Sequence, residues 1–285
     1  MALTAEHRGG SGTPLLLLHG FTDTWRAWTP VLDALEAEHD VLAPTLPGHY
    51  GAEGLPPDQD LTVAAATDIL EARMDAAGWE TAHIGGNSFG GWLALELAMR
   101  GRARSVIALC PAGGWAPNSP EAEHVYRYFV RTHRSLRLLT PGLMRAFAGR
   151  PRLRAFGLHE LVAHPDRVPP RAALDMYRGA RGCAVVVEGI ELARREGAFG
   201  ELAAVDCPVR IAYGERDWLI RWPRWYDRLL RMLPDADFVE LPDCGHLAMW
   251  DDPVAVADVI LEVTRAVDRR SDEPVHLRQV SADDA

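Results

Sequence analysis

Ser88 sits at the centre of Gly86-Asn87-Ser88-Phe89-Gly90, between an apolar run, Ala82 to Gly85, and a segment rich in helix formers, Trp92, Leu93, Leu95, Leu97 and Met99. A strand that turns into a helix within five residues leaves little room for side chains at the corner. Glycines therefore flank the turn, and the residue at its apex is forced outward. Gly-x-Ser-x-Gly in that setting is a nucleophile elbow. It presents the hydroxyl at a helix N-terminus, where the dipole favours developing negative charge. The pentapeptide alone also fits an ordinary glycine-rich turn; the flanking strand and helix patterns give it weight. A serine hydroxyl is a weak nucleophile at neutral pH and needs a base within hydrogen-bond reach, itself held by a third group. The expected base is His246, in Gly245-His246 after a strand and before the last helix. The expected acid is Asp217, in Gly214-Glu215-Arg216-Asp217, with Glu215 as its competitor and Asp243 as a weaker one. The order nucleophile, acid, histidine favours Asp217. Two backbone N–H groups must meet the oxyanion: Phe89, which follows the nucleophile, and Phe21, just past His19-Gly20.

These side chains need elements to hold them. Residues 1 to 13 are polar and glycine-rich, with room for one short edge strand and a turn. Leu15 to Leu18 is a continuous apolar run, as in a strand covered on both faces. Trp25, Trp28, Val31, Leu32 and Leu35 follow at helical spacing behind Asp23 or Thr24 as cap, and Val41 to Ala43 reads as the next strand. A loop dense in Pro and Gly runs from Pro44 to Pro57, and Asp60 starts a helix that Gly78 ends. With the elbow, its helix and the strand Ser105 to Leu109, the alternation implies a mostly parallel sheet with helices on both faces. Ligand chemistry in such sheets lies at the carboxyl ends of the strands.

Residues 112–202 break the rhythm. This stretch is helical in pattern, arginine-rich and punctuated by Pro141, Pro151, Pro165 and Pro169-Pro170, and Val185-Val186-Val187 is its one β-leaning triplet. It is expected to be an inserted cap that roofs the catalytic face. The sheet resumes at Val209 to Tyr213, a helix spans about Pro223 to Leu233, a strand follows at Phe238 to Leu241, and a last amphipathic helix starts near Pro253. The division is an α/β core over 1–111 and 203–267, a helical cap over 112–202, and a charged tail over 268–285 expected to be disordered.

Composition bounds the rest. The 285 residues suffice for one large core, and a formal net charge of −10 argues against nucleic acid as a partner. There is no signal-peptide pattern, and Leu15 to Leu18 is too short to span a membrane, so no membrane partner is expected and the location is read as cytoplasmic. Cys110, Cys183, Cys207 and Cys244 are scattered as buried reduced thiols would be. Metal-ligand spacing is lacking. His159-Glu160 with His164 misses the zinc-helix pattern by one residue, and these histidines are expected at the surface or as caps.

His19-Gly20-Phe21, the elbow, Gly214-Glu215-Arg216-Asp217 and Gly245-His246 resemble, in that order, the blocks of the α/β-hydrolase family. The resemblance runs from about Leu15 to Val267 and implies the α/β-hydrolase fold with a helical cap, no cofactor, and a small-molecule substrate turned over by a monomer or homodimer. Serine at the elbow separates the chain from haloalkane dehalogenases and epoxide hydrolases, which carry aspartate there. Asn87 is similar to the elbow of carbon–carbon bond hydrolases, and Trp250 loosely resembles that group too, which makes both candidates for substrate binding. The expected activity is hydrolysis of a small, mostly apolar carboxylic ester or related acyl compound through an acyl-enzyme. The alternatives are carbon–carbon bond cleavage or a lyase reaction on a dicarbonyl compound, and a non-catalytic binding protein on the same scaffold.

Overall fold

A computed structural model describes residues 4–52, 62–196, 202–221, 223 and 225–272. The strands are β1 (Glu6–Gly10), β2 (Thr13–Leu18), β3 (His39–Pro44), β4 (Ala82–Asn87), β5 (Ala103–Leu109), β6 (Val209–Gly214) and β7 (Asp237–Leu241). They form one seven-stranded sheet in the order β1-β3-β2-β4-β5-β6-β7. Only β1 is antiparallel to its neighbour, pairing along β3 as the edge. The order reverses between β2 and β4, so their carboxyl ends flank the crevice where such sheets bind ligands. Leu18 is paired with Gly86 across that boundary, which sets the turn after β2 directly beside the elbow.

The four leucines of β2 are fully buried because both faces of the sheet are covered. Leu16 and Leu18 pack into the core shared with α2 (Val63–Ala76) and α3 (Phe89–Met99). Leu15 and Leu17 pack on the opposite face, against α1 (Leu32–Glu36) and Val256 and Ile260 of the last helix. Each such burial contributes about 1.5–3 kcal/mol. Between β5 and β6 the described residues form five helices: α4 (Pro120–Leu138), α5 (Pro141–Gly149), α6 (Pro151–Leu158), α7 (Pro170–Gly182) and α8 (Val186–Glu196). Prolines open the first four, in the first turn where their missing N–H leaves no helix bond unmade. The valine triplet falls at the start of α8, where Val186 and Ile190 are buried four residues apart, so helical packing overrides β preference. After β6 come α9 (Asp227–Met232), α10 (Ala248–Asp251) and α11 (Pro253–Asp272).

Three expectations are adjusted. The helix expected from Trp25 to Leu35 is a 3-10 turn, Trp25–Trp28, followed by α1, because Pro30 lacks the N–H a continuous helix would need. Thr62, rather than Asp60, caps α2 by accepting from Ala65 N–H; Asp60 itself lies outside the described residues. Asp268 to Asp272, expected as the start of the tail, belong to α11; the rest of the expected tail lies outside the described residues. Asp268 accepts hydrogen bonds from Thr13 Oγ1 and Arg104 Nη2, both at 2.8 Å, and from His83 Nε2 at 3.0 Å. These bonds pin α11 beneath the sheet.

Candidate active site

Ser88 adopts φ 55° and ψ −115°, a conformation that costs a side-chain-bearing residue on the order of 1–3 kcal/mol. The surrounding backbone holds it there. Its N–H donates to Leu109 O at 2.9 Å, and its carbonyl accepts from Trp92 and Ala112 N–H at 3.1 and 3.0 Å. Glycine is needed on both sides because backbones touch: a Cβ on Gly86 would lie 2.2 Å from Gly90 O, and one on Gly90 would lie 2.1 Å from Leu18 O. Thr22, Cys110 and Asp243 also have positive φ, each just past a strand's carboxyl end. Backbone strain is thus gathered on the face that bears the serine.

Asp217 and His246 are buried and joined, with His246 Nδ1 2.7 Å from Asp217 Oδ2. The other carboxylate oxygen accepts from Leu219 and Ile220 N–H, both at 2.8 Å. An ionised carboxylate only accepts, so Nδ1 carries the ring proton and Nε2 presents its lone pair. Among the described residues His246 Nε2 is buried with no hydrogen-bond partner, Ser88 included, and His246 lines the same cavity as Ser88. The competing carboxylates are occupied elsewhere. Glu215 accepts Asp243 N–H at 2.8 Å, and Asp243 pairs with His164 at 2.7 Å and Arg216 at 2.8 Å.

The turn expected to form the oxyanion side, His19-Gly20-Phe21, opens on a histidine to which the sequence assigns no role. His19 is fully buried; its Nε2 accepts Leu46 N–H at 2.8 Å, so Nδ1–H donates to Gly20 O, also at 2.8 Å. Burial, and then the neighbouring His49, push His19 well below the usual histidine range, so the ring stays neutral in the tautomer these bonds require. It braces the turn carrying Phe21 beside the elbow. Phe89, as the first residue of α3, has no carbonyl four residues back within that helix, and its N–H is available at the N-terminus.

The pattern of the Alpha/beta hydrolase family matches residues 15–259. The chain belongs to that family. An epoxide hydrolase, EphH, of Mycobacterium tuberculosis is 31% identical over 201 residues, covering 70% of this chain and 94% of that protein. A 2-hydroxymuconate semialdehyde hydrolase of a Pseudomonas strain is 32% identical over 130 residues, 44% of this chain and 46% of that one. Among solved structures, a thermophilic esterase from Thermogutta terrifontis superposes with a TM-score of 0.72 at 26% identity, covering 92% of this chain and 93% of the other. The protein is a hydrolase of this fold.

The remaining sequence candidates separate. In this hydrolase Asn87 is buried and its Nδ2 donates to Leu109 O at 3.2 Å and His246 O at 3.0 Å, which ties the histidine loop to the elbow strand. Trp250 is half-buried and lines an outer cleft of about 720 Å³ with Trp25 and Arg26, a cleft to which Ser88 does not contribute. Asp251 carries no motif yet accepts three backbone N–H groups: Gly245 at 2.8 Å, Ala163 at 3.0 Å and His164 at 2.7 Å. It fastens the histidine loop to the connection between α6 and α7. His159 is exposed at the end of α6.

Ser88 lies between two cavities. One, of about 70 Å³, is apolar and lined by Phe89, Trp92, Trp115, Val125 and Phe129. The other, of about 50 Å³, has more polar walls, including Asn87, Thr132, His246 and Asp23. Among the described residues, Cys110, Asp217 and His246 are the group whose atoms could jointly approach a metal. Burial and the Asp217 charge push the Cys110 thiol well above its ordinary range, which keeps it a neutral thiol. Asp217 and His246 are already bonded to each other.

Proposed function

We propose that this protein is a serine hydrolase that cleaves an ester with an apolar acyl group, through a covalent acyl-enzyme and without a cofactor. Ser88 attacks the carbonyl while His246 Nε2 takes its proton. Asp217 holds the imidazole and stabilises the imidazolium as it forms. The N–H groups of Phe21 and Phe89 receive the developing oxyanion, each contributing about 3–4 kcal/mol to the transition state. His246 then protonates the leaving oxygen. Water, deprotonated by the same ring, releases the acid.

The observation that carries this reading is the histidine's one-sided environment: Nδ1 is anchored on Asp217, Nε2 has no partner among the described residues, and His246 lines the same cavity as Ser88. The apolar cavity beside Ser88 supports an apolar acyl group. The likeness to an epoxide hydrolase supports hydrolysis but not epoxide opening here. A carboxylate that opens an epoxide forms an ester, which water can cleave at its carbonyl; a serine would form an ether, which water cannot cleave in that way.

Carbon–carbon bond cleavage is the second reading, supported by the likeness to the 2-hydroxymuconate semialdehyde hydrolase. The polar cavity would then receive the dicarbonyl end of the substrate. Kinetics with p-nitrophenyl esters and with vinylogous diketones separate the two. Ester hydrolysis is expected to show a burst, and Ser88→Ala to lower kcat by roughly 10³-fold or more while the fold is kept. Unchanged ester turnover by that variant contradicts the reading, and a preference for diketones over every ester favours the second.

A further inference from the structure

From His124 to His159 the chain holds eight arginines and no aspartate or glutamate, although its formal net charge is −10. Arg131 is paired with Glu160, and Arg154 is buried and donates to backbone carbonyls. Arg127, Arg134, Arg137, Arg145, Arg150 and Arg152 are exposed and make no ion pair among the described residues. On α4, Arg127, Arg131, Arg134 and Leu138 follow the i, i+4, i+7, i+11 spacing of a single helix face. The same three helices, α4 to α6, carry three large exposed apolar side chains: Leu138 at 85%, Phe156 at 72% and Leu143 at 43% exposure.

We propose that the outer face of α4–α6 docks on an anionic lipid surface, with Leu138, Leu143 and Phe156 entering the interface and the unpaired arginines meeting lipid headgroups. Charge alone would suit any polyanion. Leucine and phenylalanine left exposed among arginines are what an interfacial face requires, with apolar area entering the acyl boundary and guanidinium groups staying at headgroup level. The segregation matters because a uniformly acidic surface would be repelled from such a membrane. The other side of α4 also bears on this: Val125, Tyr126 and Phe129 line the apolar cavity beside Ser88, and Tyr128 and Thr132 line the polar one. One helix thus roofs the site and carries the docking stripe, which places lipid-derived esters within reach. That substrate class rests on the ester reading of the Ser88 site; the docking does not. Among the described residues no helix is long and apolar enough to cross a membrane.

The test is co-sedimentation with phosphatidylcholine vesicles, with and without roughly a third phosphatidylglycerol, at about 0.1 M salt. Hydrolysis of a soluble p-nitrophenyl ester is followed in parallel. Binding is expected only with the anionic lipid. The combined variant R127E/R134E/R137E should lose at least about 100-fold in vesicle affinity and keep soluble-ester turnover. Leu138→Ser with Phe156→Ser should weaken vesicle binding about tenfold or more and leave capture by immobilised polyglutamate unchanged. All five side chains are exposed, so the melting temperature should hold. No vesicle binding by the parent protein overturns the docking. So does vesicle binding that is indifferent to the two serine changes, which would mark a face that reads charge alone, as an acidic protein partner would. Vesicle binding without hydrolysis of any ester would leave the docking standing and overturn the ester reading instead.

Discussion

Asp217 and Glu215 lie two residues apart, and their hydrogen-bond partners differ. Asp217 has one oxygen on His246 and the other saturated by two amides, while Glu215 serves the backbone of Asp243. Asp217→Asn should therefore lower kcat by about 10⁴-fold, because an amide no longer enforces the tautomer that leaves Nε2 free. Glu215→Gln should stay near the parent rate, since its carbonyl oxygen can still accept the same N–H. Steady-state kinetics of the two variants check this, and an equal loss in Glu215→Gln would reassign the acid. Asp217 could be read from its place after a strand and in chain order. His19 and Asp251 could not, because their partners, Leu46 and the pair Ala163 and His164, come from segments far away in sequence. Asn87 shows the reverse difficulty. Its neighbourhood in the motif points to substrate; its Nδ2 is spent on two carbonyls that position the histidine loop, while its Oδ1 is buried without a partner among the described residues, in a side chain that lines the polar cavity.

At the scale of elements, what was legible followed from burial on both faces. Short, fully apolar runs such as Leu15 to Leu18 and Val106 to Leu109 suit a parallel strand covered on both faces, the reading their length favours over a helix. The short helix near Trp25 and the end of α11 were harder to read. The first depends on one proline, and the second on Asp268 finding His83, Arg104 and Thr13 beneath the sheet. Asp251 is the joint where two elements act on the chemistry, since it ties the loop bearing His246 to the α6–α7 connection of the cap. Asp251→Ala would strip the acceptor from three amides, of which each buried one left unpaired costs about 1–3 kcal/mol. We expect a lower melting temperature together with a fall in kcat that exceeds any change in KM, measured well below the new midpoint. An altered KM with unchanged kcat would mean that the joint shapes the pocket rather than the base.

For the molecule as a whole, buried titratable groups near the site set how stability responds to pH. Burial holds His49 down at about 4 and His19 well below the histidine range. Unfolded histidines take up protons near pH 6.5, so this stabilisation is complete above that pH. It is lost progressively as the pH falls, by about 3 kcal/mol for His49 between 6.5 and 4. Asp23 opposes it. Burial, and then the Asp175 charge, raise its carboxyl from 3.8 to about 7, so it weakens the fold increasingly as pH rises across that span. Asp23→Asn should accordingly be about 2 kcal/mol more stable than the parent at pH 8, converge with it near pH 4, and show the steeper acid loss. Urea midpoints at several pH values check this, and a variant no more stable than the parent at pH 8 would show Asp23 to be ordinarily ionised.

If Ser88 is the nucleophile, its hydroxyl becomes covalently linked during turnover, and that linkage can be trapped. Native protein treated with a fluorophosphonate, then read by intact mass and peptide mapping, should carry a single adduct on Ser88, while Ser88→Ala should carry none. A full-occupancy adduct on another residue, or active protein that takes up no label, would rule Ser88 out as the nucleophile.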